Sequence, residues 1–356
     1  MKKLCKFLWI LTAVIIVISC CACKKNQGGI LDLIYFNTAI HVETHDTPIN
    51  NKTVTEIKNV LQGLENRFDA NKQSSLIYTF NHAIRDTEID NLTEQDIEIL
   101  QKVQLAYTLT DGYYNPTIYP LVKLWGFSPF TFTANFTPPT KEQINQTLPF
   151  IHFDKVVIDY QNKSLKKTDD FTKLDLGGII KGYASDIVAT VLKNAGHTSG
   201  YVNIGGSSLT LLSVQSLGIR HPLKAGKTIL SVNTNGMHNL SVSTSGDYER
   251  FHIDTNGNKY SHLINPFDGY PTKTGIRSAT LIGTDGAIND AFTTALCLYQ
   301  YKSNELNEFI TRIIERYPDC MFFLVYDSDG VKEIYTNKKQ GEDFTLQDTD
   351  YTVVNF

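Results

Sequence analysis

LDLGGIIKGYASDIVATVLKNAGHTSGYVNIGG, residues 174–206, decides how the chain folds. A short strand-like run ends at Asp175, and the glycine pair Gly177 and Gly178 follows. Apolar residues then recur at Ile179, Ile180, Tyr183, Ala184, Ile187, Val188, Val191 and Leu192, the spacing of one buried helical face. Gly196 stands where a helix C-terminal cap belongs, and a second apolar strand, 201–204, runs into Gly205 and Gly206. Glycines ahead of a helix let a ligand approach the backbone, and the free amides of a first helical turn favour an anion such as phosphate. Asp175 and Lys181 flank that turn with charge. The same glycines also suit a tight strand–helix turn that binds nothing. Neither the dinucleotide fingerprint G-x-G-x-x-G nor the P-loop is present, so a phosphate held here is held in another fold.

Upstream, 31–42 reads as a strand, and Val54, Ile57, Val60, Leu61, Leu64 and Phe68 mark an amphipathic helix. Residues 74–81 read as a polar turn leading into a short apolar segment. Thr93 with Asp96 opens a helix that Asp111-Gly112 ends. GYYNPTIYPLVKLWGF, 112–127, carries two prolines in an aromatic-rich run; it is an irregular packed wall or a surface for a flat ring. Thr140 and Gln143 form a capping-box pattern, and 155–159 and 172–174 read as strands. Downstream come short β-type runs at 209–214, 217–219, 228–232, 240–242, 259–264 and 278–282. Helices follow at 289–299 and after Ser303, then strands 321–326 and 331–335 around the turn Asp327-Ser328-Asp329-Gly330. Helices early and hairpins later predict an α+β class: one large domain, 31–356, with a mixed or antiparallel sheet and packed helices.

The N-terminus is a separate matter. Lys2 and Lys3 precede an apolar run, 7–18, broken only by Thr12, which reads as a signal peptide over 1–19. Val17-Ile18-Ser19-Cys20 resembles a bacterial lipobox, so Cys20 is the expected lipidation site, with 20–30 as a polar tether. An uncleaved membrane helix is the alternative, and the run is short for the roughly 20 residues a span needs. Either way the domain is expected outside the cytoplasmic membrane, lipid-anchored in the first case. A net charge of −4 gives no reason to expect nucleic acid. Of six cysteines, four lie in or beside the signal. Cys297 and Cys320 remain, without zinc-ligand spacing; a disulfide between them stays open.

Three further segments carry chemistry: STSGDYERF (243–251), a run from Tyr260 to Pro271 containing HLINPFDGYP (262–271), and one from Ala287 to Ala295 containing DAFTTA (290–295). His262 precedes an Asn-Pro turn, a position suited to a side chain facing a cleft, although a single histidine is also a common structural hydrogen-bonder. Asp290 and Thr294, four apart on a helix, can face one point and offer oxygen to a hard cation of the magnesium kind; an ordinary N-terminal cap is the alternative.

With DLGGIIKGYASD, VNIGG and NPTIYPLVKLWGF, these six pieces resemble, in family order, the ApbE family of flavin transferases. The resemblance implies an extracytoplasmic enzyme that uses magnesium and FAD. It would move the FMN half of FAD to a threonine of an acceptor flavoprotein, releasing AMP. The acceptor would be a flavin-carrying subunit, typically of a membrane electron-transfer complex. By the same resemblance Asp290 and Thr294 match metal ligands, Gly178 completes the metal site through its carbonyl, and Thr293 falls where some relatives add a ligand. His262 matches the catalytic histidine. Asp175, Lys181, Ile264, Tyr113, Tyr114 and Asn115 match positions lining the FAD site, and the ring of Trp125 joins Tyr113 and Tyr114 in an expected aromatic wall. Asn71 stands where many relatives carry an aromatic residue near the flavin. That departure raises a second reading, an FAD pyrophosphatase giving FMN and AMP. A third is a flavin-binding lipoprotein without activity.

Overall fold

In the strand Met321–Ser328, Phe322 and Leu324 point to one side and Phe323 and Val325 to the other, and all four are buried. Alternation puts successive side chains on opposite faces, so this sheet is covered on both. The computed structural model describes residues 28–214, 216–234 and 237–356. The expected signal peptide, Cys20 and most of the tether lie outside them. Nine strands form the main sheet: β1 Gly29–Tyr35, β2 Thr38–Thr44, β3 Gly200–Ile204, β4 Ser208–Ser213, β5 His238–Gly246, β6 Ile276–Gly283, β7 Met321–Ser328, β8 Val331–Thr336 and β9 Thr352–Asn355. They stand side by side in chain order, antiparallel throughout except for the parallel pair β8 and β9.

The helices are α1 Asn51–Phe68, α2 Leu76–His82, α3 Glu94–Leu109, α4 Tyr119–Leu124, α5 Lys141–Thr147, α6 Ile180–Asn194, α7 Gly286–Leu296 and α8 Asn304–Arg316. α6 and α7 lie against each other and against β3 to β6, with α1 packed on α6 and α3 on α7. The expected capping box of Thr140 with Gln143 forms, and the helix start read at Thr93 and Asp96 is a capping box as well. The opposite face of the sheet is covered by a three-stranded sheet, Ser216–Arg220, Thr228–Asn233 and Phe344–Leu346. A third apolar cluster, with Leu121, Trp125, Phe127, Ile144 and Ile264, sits under α4 and α5. The α+β expectation with its mixed, mainly antiparallel sheet holds. Among the described residues no helix is long and apolar enough to cross a membrane.

Two local expectations, the strands at 31–42 and 172–174, change. The strand expected at 31–42 is a hairpin, turning at Phe36 and Asn37 with φ of 54° and 53°. A two-residue turn of this kind needs both φ values positive, and Phe-Asn hides it where Asn-Gly would announce it. The polar turn at the start of 74–81 is present, and the apolar segment it leads into is α2, capped by the Ser75 hydroxyl on the Tyr78 amide. Residues 172–174 join no strand: the Asn81 amide takes both polar groups of Leu174, accepting from its N–H at 2.6 Å and donating to its carbonyl at 2.9 Å. Cys297 and Cys320 are free thiols, both buried.

Candidate functional site

The site is set by how α6 meets α7. Neither helix has room for a side chain where they cross: a Cβ on Gly182 would lie 1.9 Å from the Gly286 carbonyl oxygen. Asp186 of α6 fastens the contact, accepting from the Gly286 N–H at 2.6 Å and from the hydroxyls of Thr210 and Ser241. Gly182→Ala is therefore expected to cost about 3 kcal/mol in urea unfolding, an overpacking penalty with backbone as the immovable partner; an unchanged midpoint would refute the tight crossing.

Asp285 caps α7, its carboxylate accepting from the Ile288 amide at 3.2 Å. The capping alternative for Asp290 is thereby excluded: it sits one turn further on, buried, with Oδ2 accepting from the Gly182 N–H and the Lys181 ammonium, each at 3.2 Å. Lys181 also donates to the Gly177 carbonyl at 2.9 Å. Thr293 and Thr294 donate their hydroxyl protons to the Asp290 carbonyl, at 3.0 and 3.2 Å, leaving oxygen lone pairs free to accept. The Thr294 hydroxyl oxygen would be 3.5 Å from a Cβ on Gly178, so the glycine turn and the second turn of α7 converge. Carboxylate, hydroxyl and carbonyl oxygens without histidine or thiolate suit a hard cation. Among the described residues no group of three or more His, Cys, Asp or Glu is placed to hold a metal. A cation held by these oxygens would need further ligands from water or a bound substrate.

Asp175 accepts from the Gly177 amide at 2.7 Å, and burial raises its pKa against the pull of that bond, Lys181 and Arg250. Tyr114 packs beside Gly178 with its buried hydroxyl unpartnered, and burial with Asp175 and Asp290 nearby raises its pKa. Asn115 closes a turn by accepting from the amide and hydroxyl of Thr117, at 2.9 and 2.7 Å.

His262 follows the strand Lys259–Ser261, which is shorter than expected, so the histidine sits just beyond its end. Its Nδ1 lies 3.2 Å from the Arg250 carbonyl, which only accepts. Nδ1 therefore carries the proton and Nε2 presents a lone pair. Burial, then the positive charges of Arg250 and Lys181, hold its pKa down to about 3. Lys181 thus couples Asp290 to His262.

The aromatic wall does not assemble as expected. Tyr113 packs on Tyr299, ring centroids 3.8 Å apart, and edge-on against Phe267 at 4.8 Å. Trp125 belongs instead to the cluster under α4 and α5, where the indole donates to the Gly269 carbonyl at 2.8 Å; Ile264 packs in the same cluster. Asn71 is exposed and bonded to the Ser128 hydroxyl at 3.2 Å. Three residues of the site carried no role in the sequence reading, though all lie in STSGDYERF. Ser245 bridges the hydroxyls of Thr293 and Thr294, at 3.0 and 3.4 Å. Burial pushes Glu249 up to about 7, opposed by Lys181, Arg220 and Arg250. Arg250 holds His262 through its carbonyl. The one sequence signal was an adjacent acid–base pair just after a Gly-Asp turn.

Fold and site define an α+β protein in which oxygen donors of a glycine turn and of α7 converge, and in which a buried, neutral histidine presents Nε2. The ApbE family model matches residues 36–314. The FAD:protein FMN transferase of Haemophilus influenzae is 27% identical over 296 residues, covering 80% of this chain and 84% of that protein. That of Klebsiella pneumoniae is 28% identical over 254 residues, covering 71% and 76%. The solved flavin transferase ApbE from Vibrio cholerae superposes with a TM-score of 0.74 at 21% identity, over 87% of this chain and 97% of that one. The ApbE protein of Thermotoga maritima gives 0.72 at 24% identity, over 84% and 94%. The chain belongs to the ApbE family.

Proposed function

We propose that this protein transfers FMN from FAD to a threonine hydroxyl of an acceptor flavoprotein, releasing AMP, with magnesium held by Asp290, Thr294, the Gly178 carbonyl and, in addition, Thr293. The observation that carries this reading is the convergence of the Gly178 turn with the Asp290, Thr293 and Thr294 oxygens, where the Lys181 ammonium bonds both Asp290 and the Gly177 carbonyl. A pyrophosphate brought to that point meets a cation, a helix start and a base together. Magnesium, when bound, supplies Lewis-acid neutralisation of phosphate charge. The chain supplies the rest. His262 takes the threonine proton on Nε2 as the Oγ–P bond forms; the P–O bond to AMP breaks and its electron pair leaves on the AMP phosphate. Names borne by relatives support the reading, as does the match of six motifs. The acceptor would be a subunit of a membrane electron-transfer complex, as the family resemblance implies.

The test is to incubate protein, FAD and magnesium with and without a threonine-bearing acceptor, following AMP, FMN and acceptor mass. Transfer predicts an acceptor heavier by one FMN, with one AMP released for each. AMP and free FMN in equal amounts without acceptor would instead establish a pyrophosphatase, the reading raised by Asn71, an exposed residue without a ring to stack on the flavin. FAD bound without AMP release or need for magnesium would leave only a carrier.

Glu249 gives the reading a pH signature. At about 7 its carboxyl changes charge in the working range. Rising pH adds a negative charge beside the FAD pyrophosphate, so FAD affinity is expected to fall roughly tenfold between pH 6 and 8.5. Fluorescence titration checks this, and Glu249→Gln should flatten the profile; a flat wild-type profile would show that Glu249 does not face the nucleotide.

A further inference from the structure

Arg250 has a free charge in an unusual place. Its backbone carbonyl receives both the His262 N–H at 3.0 Å and Nδ1 at 3.2 Å. Its guanidinium forms no ion pair among the described residues and rests 5.7 Å from the Phe130 ring centroid. From there its charge reaches Asp175, Glu249 and His262. Phe130 belongs to the loop that also carries Phe127, whose ring stands edge-on to His262 at 6.3 Å, and Ser128, which bonds Asn71. The guanidinium therefore rests against the loop that also touches His262, through Phe127, and Asn71, through Ser128. Lys181 is paired with Asp290.

We propose that the Arg250 guanidinium is a catalytic group that binds the flavin-side phosphate of FAD, the phosphate attacked in the transfer reaction. This rests on the transferase reading above. A base held by the carbonyl of Arg250 would stand beside the phosphorus under attack, and the guanidinium of the same residue starts from that point with no ion-pair partner among the described residues. A guanidinium stays charged at any working pH and offers a planar fork matched to two phosphate oxygens. As the threonine Oγ–P bond forms and the bond to AMP breaks, charge on those oxygens is met by a donor already in place. The contrasting account is packing alone, with the guanidinium covering the Phe130 face.

Side-chain substitution separates the two, because the carbonyl that orients His262 survives it. Arg250→Ala is expected to lower kcat for FMN transfer by about 10²-fold at saturating FAD, in line with the loss of one charge-stabilising donor. FAD affinity should weaken, riboflavin binding and the melting temperature should not change, and Arg250→Lys should keep part of the rate. A kcat within threefold of wild type, or equal losses for FAD and riboflavin, overturns the proposal. Wild-type protein is run alongside: if it makes neither AMP nor FMN-bearing acceptor, the transferase reading has failed rather than the assignment of Arg250.

Discussion

His262→Ala is expected to keep FAD bound and to lose FMN transfer by about 10²–10⁴-fold, the usual value of a positioned base. Acceptor mass measures the loss, and flavin fluorescence the binding. The argument is the tautomer. The Arg250 carbonyl fixes the proton on Nδ1, so Nε2 is a ready acceptor. A pKa near 3 makes the ring neutral at every working pH, yet a base that weak accepts a proton poorly. On the proposed reading, a pyrophosphate paired with Lys181 and Arg250, the two cations that depress His262 after burial, would raise its basicity in the complex. The kcat profile should thus show an acid limb well above pH 3 that is absent in His262→Ala. The free protein adds a second readout. The folded pKa lies below the ordinary 6.5, so the folded state binds fewer protons, and stability is full above 6.5 and is lost as pH falls toward 3. His262→Ala should lose less stability over that window. An alanine variant that transfers FMN at the wild-type rate would end the base assignment.

Much of this architecture was legible because local chemistry and tertiary packing agree. The period of 174–206 gave α6 and the strand after it, and Gly196 at φ 93° ends the helix as its sequence position predicts. Asp290 and Thr294 were readable as one face because helical spacing is fixed. What escaped did so for identifiable reasons. Residues 172–174 have strand-like composition, but their backbone bonds go to side chains: Thr172 to Asp169 and Lys167, and Leu174 to Asn81, 93 positions away. Trp125 and Tyr114 are eleven residues apart, yet a short helix between them turns Trp125 into another cluster. Arg250 was invisible as a functional group because its place depends on a hairpin folding back so that its carbonyl meets His262, twelve residues on. A charge beside an aromatic has no period to betray it.

Asp290→Ala should abolish transfer at ordinary magnesium, with a fall of at least about 10²-fold, and recover part of it at high magnesium. Asp290 is 2% exposed and is the carboxylate among the oxygen donors Gly178, Thr293 and Thr294. Without it a divalent ion keeps hydroxyl and carbonyl donors that hold it weakly, so the activating concentration rises, while mass action restores some loaded enzyme. Alanine also leaves the Gly182 amide without its carboxylate partner and Lys181 without its counter-charge, which costs stability for reasons unrelated to metal. Asp290→Asn separates the effects: its amide oxygen still accepts from Gly182, so folding is kept while the charge is gone. Two measurements distinguish them. Magnesium should raise the melting temperature of the wild type and not of Asp290→Asn, and the magnesium dependence of AMP release should shift to higher concentration in both variants. Should Asp290→Asn match the wild type in the presence of chelator, the carboxylate is a helix clamp and the cation lies elsewhere.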